Sequence, residues 1–139
     1  MKDTNITGAI SETKILLWCI ENNIAVSFPY GDKERYDQIW DVNGRLLKIQ
    51  IKTARPLDEK REVIEFNCYS ISNGKRKVYS KEEIDYFAIW FNNEVYLVSV
   101  EECSTSKKLR FADSLDRAKY ASKTNWAKDY LAKGVLNLN

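Results

Sequence analysis

The chain has 139 residues, 44% hydrophobic and 30% charged, a length and balance that suit a single globular domain with a real core. It holds no histidine, which removes His-based triads, His-ligated zinc and His-metal nucleases together, and its three cysteines, Cys19, Cys68 and Cys103, stand in no CxxC spacing that would indicate a disulfide framework or a zinc site. Any metal must be held by oxygen, and a net charge of +2 is too small to argue for nucleic acid by itself. No stretch approaches the roughly 20 apolar residues of a membrane span, and the start Met-Lys-Asp-Thr-Asn lacks the order of a secretory signal. A cytoplasmic protein with no membrane partner is expected.

Residues 7–23 read as a first helix, with Thr7 as N-cap and Ala9, Leu16, Cys19 and Ile20 on one apolar stripe. Glu12 falls on the same stripe. A carboxylate facing inward is normally paired or holds a metal, whereas the plainer alternative is an N-terminal acid favoured by the helix dipole. Residues 24–28 form a first strand, closed by Pro29 and a polar loop from Tyr30 to Arg35.

The stretch Tyr36–Arg55 then reads as a β-hairpin about Asn43-Gly44, the dipeptide best suited to a type I′ turn. The turn pairs Val42 with Arg45, Trp40 with Leu47, and Asp37 with Gln50. Alternation puts Trp40, Val42, Leu47, Ile49 and Ile51 on an apolar face, and Asp37, Asp41, Lys48, Gln50 and Lys52 on a polar one. Cross-strand neighbours lie about 4.5–5.5 Å apart between Cβ atoms, so a carboxylate, an amide and an amine converge where one ion and one water can be addressed. The plainer reading is a strand pair with one wet face.

Residues 63–71 alternate as a further single strand, followed by a turn at Ser72-Asn73-Gly74-Lys75 and a basic loop tip at Lys75-Arg76-Lys77, suited to gripping phosphate or simply solvated. Ser80 and Glu83 resemble a capping box for a short helical turn. Asp85 stands just before a second hairpin, residues 86–91 and 95–100 about Asn92-Asn93. A short strand is expected at 109–111 and helical material from Asp116 onward, stopped by Gly134. From Ser104 to Asn139 there are eight Lys or Arg against three Asp, a net of +5 that leaves −3 for the rest. The element order predicts an α/β (α+β) fold with a central mixed β-sheet flanked by helices.

Glu12 on the first helix, Tyr36-Asp37 at a strand start, and Gln50-Ile51-Lys52 followed by Thr53-Ala54 together resemble the PD-(D/E)XK nuclease superfamily. Within it the chain is most similar to the cyanobacterial-type group I intron homing endonucleases, in which a glutamine replaces the second acid. The similarity runs through Ile84-Asp85-Tyr86-Phe87-Ala88-Ile89 and Glu94-Val95-Tyr96-Leu97-Val98, about residues 6–103, with 104–139 as a basic C-terminal segment of the same nuclease domain. The resemblance implies a restriction-endonuclease-like core and site-specific hydrolysis of DNA, leaving a 5′-phosphate and a 3′-hydroxyl.

On that resemblance Mg²⁺, with Mn²⁺ substituting, is expected on Asp37, Gln50 and the backbone carbonyl of Ile51. Lys52 would position or deprotonate the attacking water, and Glu12 would orient water or a second ion. Gln50 offers only a neutral carbonyl oxygen, a weaker ligand for a hard cation, so either one well-held ion suffices or the site binds DNA without cutting it. Lys75, Arg76, Lys77, Lys107, Lys108 and Arg110 are the candidates for phosphate contacts. Cutting both strands of a duplex needs two sites, hence a homodimer, and the resemblance suggests a homotetramer. The rival readings are a Holliday-junction resolvase, a restriction-type nuclease, a catalytically silent DNA-binding module and a purely structural interaction protein.

Overall fold

A computed structural model of the chain describes residues 4–112 and 124–138. Helix α1 spans Thr4–Glu21, so Thr7 lies inside it and is not its cap. The buried face is Ser11, Ile15, Trp18 and Cys19, while Ala9 and Ile20 of the expected stripe are exposed. Apolar residues occur on nearly every side of α1, so periodicity alone does not choose the inward face. Long-range packing chooses it, with the Trp18 ring 5.8 Å from that of Trp40.

Strands β1 (Ala25–Ser27), β2 (Gln38–Val42), β3 (Arg45–Ile51), β8 (Tyr86–Phe91) and β9 (Glu94–Ser99) form one sheet in the order β1-β2-β3-β8-β9. Only the β3–β8 pairing is parallel, so the sheet is mixed as expected. The hairpin register is the predicted one, with Val42 opposite Arg45, Trp40 opposite Leu47 and Gln38 opposite Ile49. Its turn has φ of 53° at Asn43 and 87° at Gly44, the two left-handed positions of a type I′ turn.

The predicted single strand at 63–71 is two. β5 (Val63–Asn67) joins a second sheet, ordered β10-β5-β4, with β4 (Arg55–Pro56) and β10 (Ser106–Arg110). Cys68 then leaves the ladder, its N–H donating to Thr105 O at 2.9 Å, and β6 (Tyr69–Ser72) pairs with β7 (Lys75–Val78) as a separate ribbon. Asn73 and Gly74 supply the predicted turn, with φ of 52° and 75°. Lys75-Arg76-Lys77 is therefore a strand of this ribbon, not a loop tip. Ser80 and Glu83 do bond to each other, the Ser80 N–H and hydroxyl both donating to Glu83 Oε1 at 3.0 and 3.2 Å, but they close a turn rather than a helix.

Two apolar layers lie on opposite faces of the central sheet. Ile15, Trp18, Trp40, Leu47, Ile49 and Leu97 fill the layer beneath α1, and Ile64, Phe66, Phe87, Ile89, Val98 and Leu109 fill the other. Strands β8 and β9 are thus covered on both sides, which is why they read as near-continuous apolar runs. Full burial of such side chains is worth about 1.5–3 kcal/mol each. The C-terminal residues close these layers with a 3₁₀ turn at Ala127–Tyr130 and α2 at Ala132–Val135. Gly134 sits within α2, and the left-handed residue after it is Asn137, with φ of 54°. The beginning of the predicted C-terminal helical material, 116–123, lies outside the described residues.

Candidate active site

Asp37 stands one residue before β2, and its N–H donates to Ile49 O at 2.7 Å, which carries the hairpin ladder one step past Gln38. One carboxylate oxygen, Oδ2, accepts the Ile51 N–H at 2.8 Å. This bond fixes the side chain against β3 and leaves Oδ1 outside the hydrogen bonds of the described residues. Burial raises the carboxyl above its ordinary range; the Ile51 N–H opposes that shift, the nearby Glu12 adds to it, and Lys52 opposes it.

Lys52 follows β3 on the same face as Gln50. Its Nζ donates to Tyr69 O at 2.9 Å and lies 5.1 Å from the Tyr79 ring centroid. Burial lowers its ammonium below the ordinary lysine range, against the pull of Asp37. A half-buried amine depressed in this way is closer to exchanging a proton than a free one.

The Gln50 amide lies between Asp37 and Tyr79. In the orientation that satisfies both its ends, the NH₂ donates to Arg35 O at 2.5 Å and to Asp37 Oδ2 at 3.1 Å, while its oxygen accepts from the Tyr79 hydroxyl at 3.3 Å. The expected cross-strand partnership of Asp37 and Gln50 is thus present. In that orientation the amide nitrogen faces the carboxylate, and rotating the amide by half a turn presents the oxygen instead.

Glu12 is exposed, which corrects the inward placement expected for it. It lies on the flank of α1, where it lines a cleft of roughly 200 Å³ with Thr13, Leu16, Phe28, Asp37 and Gln38. Its neighbour Ser11 is buried, its hydroxyl 3.2 Å from that of Thr53, so α1 is tied to the chain beside Lys52. Asp41 and Lys48, expected on the same polar face, do other work. Asp41 Oδ1 accepts the turn N–H of Gly44 at 2.9 Å, and Lys48 Nζ donates to Glu82 O at 2.7 Å. Asp85 Oδ2 accepts the Lys48 N–H at 2.8 Å and so locks the start of β8 to β3.

Arg35 and Tyr79 escaped the sequence reading. The Arg35 guanidinium donates to Val78 O, Glu83 Oε1, Ser70 Oγ and Lys77 O at 2.7–2.8 Å and stacks 3.7 Å above the Tyr79 ring. It clamps both strands of the β6–β7 ribbon beside the site. The one sequence signal is its place two residues before Asp37.

The basic residues separate into two groups. Lys75, Arg76 and Lys77 are exposed, with Arg76 over the Tyr69 ring at 4.5 Å and Lys77 only 3.9 Å from Glu83. Lys107 is largely buried and turned to Glu102 and the Tyr130 ring, so it is not the free phosphate contact expected of it. Lys108 is exposed beside Glu65 in the ladder, and Arg110 donates to Ala112 O at 3.5 Å.

Asp37, the Ile51 carbonyl, Glu12 and the Gln50 amide oxygen are hard oxygen donors of the kind Mg²⁺ or Mn²⁺ takes, so the residues present fit such an ion. No group of three or more His, Cys, Asp or Glu side chains placed to hold a metal occurs among the described residues. An ion held here would therefore need backbone or amide oxygens, or water, beside its carboxylates.

A search of curated proteins finds no match. Among solved structures, the bacterial homing endonuclease I-Ssp6803I superposes with a TM-score of 0.77 at 19% identity, covering 99% of this chain and 94% of that one. At that identity the likeness establishes the fold, a mixed α/β architecture about a central sheet. The sequence family described as PD-(D/E)XK endonuclease matches residues 2–133, nearly the whole chain, and the chain belongs to that family.

Proposed function

We propose that the chain is a site-specific, divalent-metal-dependent endonuclease that hydrolyses both strands of duplex DNA, in the manner of a homing endonuclease. The observation that carries this is the convergence of Asp37, Lys52 and Gln50 on one strand-pair face beside the cleft that Glu12 lines. Family membership supports phosphodiester hydrolysis, and the near-complete likeness to I-Ssp6803I, itself a homing endonuclease, supports the narrower reading.

Asp37, the Ile51 carbonyl and the Gln50 amide oxygen would hold Mg²⁺, with Glu12 as a further acid at the rim. The bound ion would supply Lewis-acid stabilisation of the phosphoryl oxygen. Lys52 would orient the attacking water and, with its lowered ammonium, take part in its deprotonation and offset charge developing on the phosphate. The β6–β7 ribbon, anchored at its root by Arg35, would lay Lys75, Arg76 and Lys77 against the duplex, a two-stranded ribbon being narrow enough for the major groove. Two chains at least are needed to cut both strands.

A silent DNA-binding module is the second reading, favoured by the neutral amide of Gln50 and its NH₂ directed at Asp37. Linear DNA carrying candidate target regions, incubated with Mg²⁺ or EDTA and end-mapped, separates the two. Discrete double-strand cuts that EDTA abolishes are expected; binding without any cut would establish the silent module.

A further inference from the structure

The apolar layer away from α1 holds a pair of thiols that the nuclease reading leaves unused. Cys68 is where the chain leaves the β5 ladder, its N–H donating to Thr105 O at 2.9 Å. Cys103 stands two residues before Thr105, directly after a 3₁₀ turn at Val100–Glu102, so this bond brings together two cysteines far apart in the chain. Both pack in the same apolar cluster, Cys68 buried and Cys103 half-buried, and their thiols are hydrogen-bonded to each other. Cys19 is buried in the opposite layer, out of this contact. The surroundings of the pair suit a thiolate. The bond from Cys103 holds the Cys68 thiol below the ordinary cysteine range against its burial, aided by the charges of Lys52 and the largely buried Lys107. Burial instead pushes Cys19 up to about 12.

We propose that Cys68 and Cys103 form a peroxide-responsive dithiol that closes to a disulfide within one chain. The Cys68 thiolate attacks one oxygen of hydrogen peroxide, the O–O bond breaks, and the released hydroxide takes up a proton and leaves as water. The Cys103 sulfur then attacks the sulfenic acid so formed. The S–S bond replaces the S–O bond, and a second water departs with the Cys103 proton. The two sulfurs together lose the two electrons that peroxide gains. A thiol reductant reverses the step by exchange.

The place of the pair has a further consequence, which rests on the nuclease reading. Tyr69 follows Cys68 directly, and its carbonyl accepts Lys52 Nζ at 2.9 Å. Sulfurs in hydrogen-bond contact must come closer to form a disulfide, so closure draws on the backbone that anchors Lys52. Oxidation should therefore slow cleavage.

The test uses the full chain without DNA or metal, so its outcome is independent of cleavage. The folded protein is treated with hydrogen peroxide, quenched, and alkylated under denaturing conditions. Intact mass should show a single alkylated cysteine, and peptide mapping should place it at Cys19 and join the Cys68 and Cys103 peptides. Dithiothreitol should restore all three alkylatable thiols. Cys103→Ser, folded by circular dichroism, should form no link and stop at an oxygenated Cys68, while Cys68→Ser should leave Cys103 unoxidised. Three thiols still alkylatable after peroxide, links between chains only, or oxygenation of wild-type Cys68 without a link would overturn the proposal. With a cleavable duplex, the linked chain should cut about 10-fold or more slowly than the reduced one, and Cys68→Ser should be indifferent to peroxide. Equal rates for linked and reduced chains would overturn the coupling to Lys52. A chain that links but cuts nothing when reduced would contradict the nuclease reading and leave the dithiol standing.

Discussion

The hairpins at Asn43-Gly44 and Asn73-Gly74 close through the same left-handed pair of turn residues, but the molecule uses them in opposite ways. In β2–β3 every second residue is buried, from Gln38 through Trp40 and Val42 and from Leu47 to Ile51. The opposite face is thereby fixed in register and carries Gln50, with Asp37 and Lys52 at its ends. In β6–β7 the basic strand is exposed at all four residues, and the ribbon is secured at its root by Arg35, Tyr79 and the Lys52 bond to Tyr69 O. A turn dipeptide therefore specifies a hairpin, while burial of one face decides whether that hairpin becomes part of the core sheet or an exposed arm.

The sharpest way to break this contrast is to empty the core side of the first hairpin. Trp40 is fully buried, so Trp40→Ala should cost about 3–5 kcal/mol in urea unfolding. Val78→Ala on the exposed ribbon should stay within about 0.5 kcal/mol.

The turns give a smaller, matched comparison. Gly44 and Gly74 both have positive φ, and a side chain in that backbone region costs about 1–2 kcal/mol. Gly44→Val should lower global stability by that amount. Gly74→Val should leave the midpoint nearly unmoved and instead weaken DNA binding and flatten its salt dependence, since the ribbon's cations lose their common presentation.

The smallest effect concerns charge. Because burial raises Asp37, the folded protein keeps that proton at pH values where the unfolded chain has released it. Its contribution is most favourable below the unfolded value of about 3.9 and is lost as pH rises through the folded value. Asp37→Asn should therefore raise Tm at neutral pH and lose that advantage toward pH ~4, a difference read by thermal melts across the range. The residue proposed to hold the metal would thus be one that the fold holds at a cost.

Much of this was legible in the sequence, for local reasons. An Asn-Gly turn flanked by alternating residues determines register, and register determined which side chains of β3 share a face with Gln50 and Lys52. The orientation of α1 was not legible, because Ile6, Ile10, Ile15, Leu16, Leu17 and Ile20 surround the helix and only packing against Trp40 selects the buried side. That ambiguity put Glu12 inside when it belongs at the rim of the cleft. The break at Cys68 was hidden by uninterrupted alternation on both sides of it. Arg35 and Tyr79 depend on contacts with residues far along the chain, such as the bond from Arg35 to Val78 43 positions away, and such contacts leave no local pattern.

If the polar face of the first hairpin performs metal-dependent hydrolysis, Lys52→Ala removes its proton-transfer group and should abolish most of the cutting. The Lys52 side chain ends on a backbone carbonyl and an aromatic ring, and without it Arg35 still clamps both strands of the β6–β7 ribbon, so its removal should spare folding and most of DNA binding. With equal amounts of folded protein, Mg²⁺ and a cleavable duplex, the variant should cut at least about 100-fold more slowly than the wild type, the scale of a lost proton-transfer or charge-stabilising group. Cleavage by Lys52→Ala at the wild-type rate would show that this face does not carry the reaction.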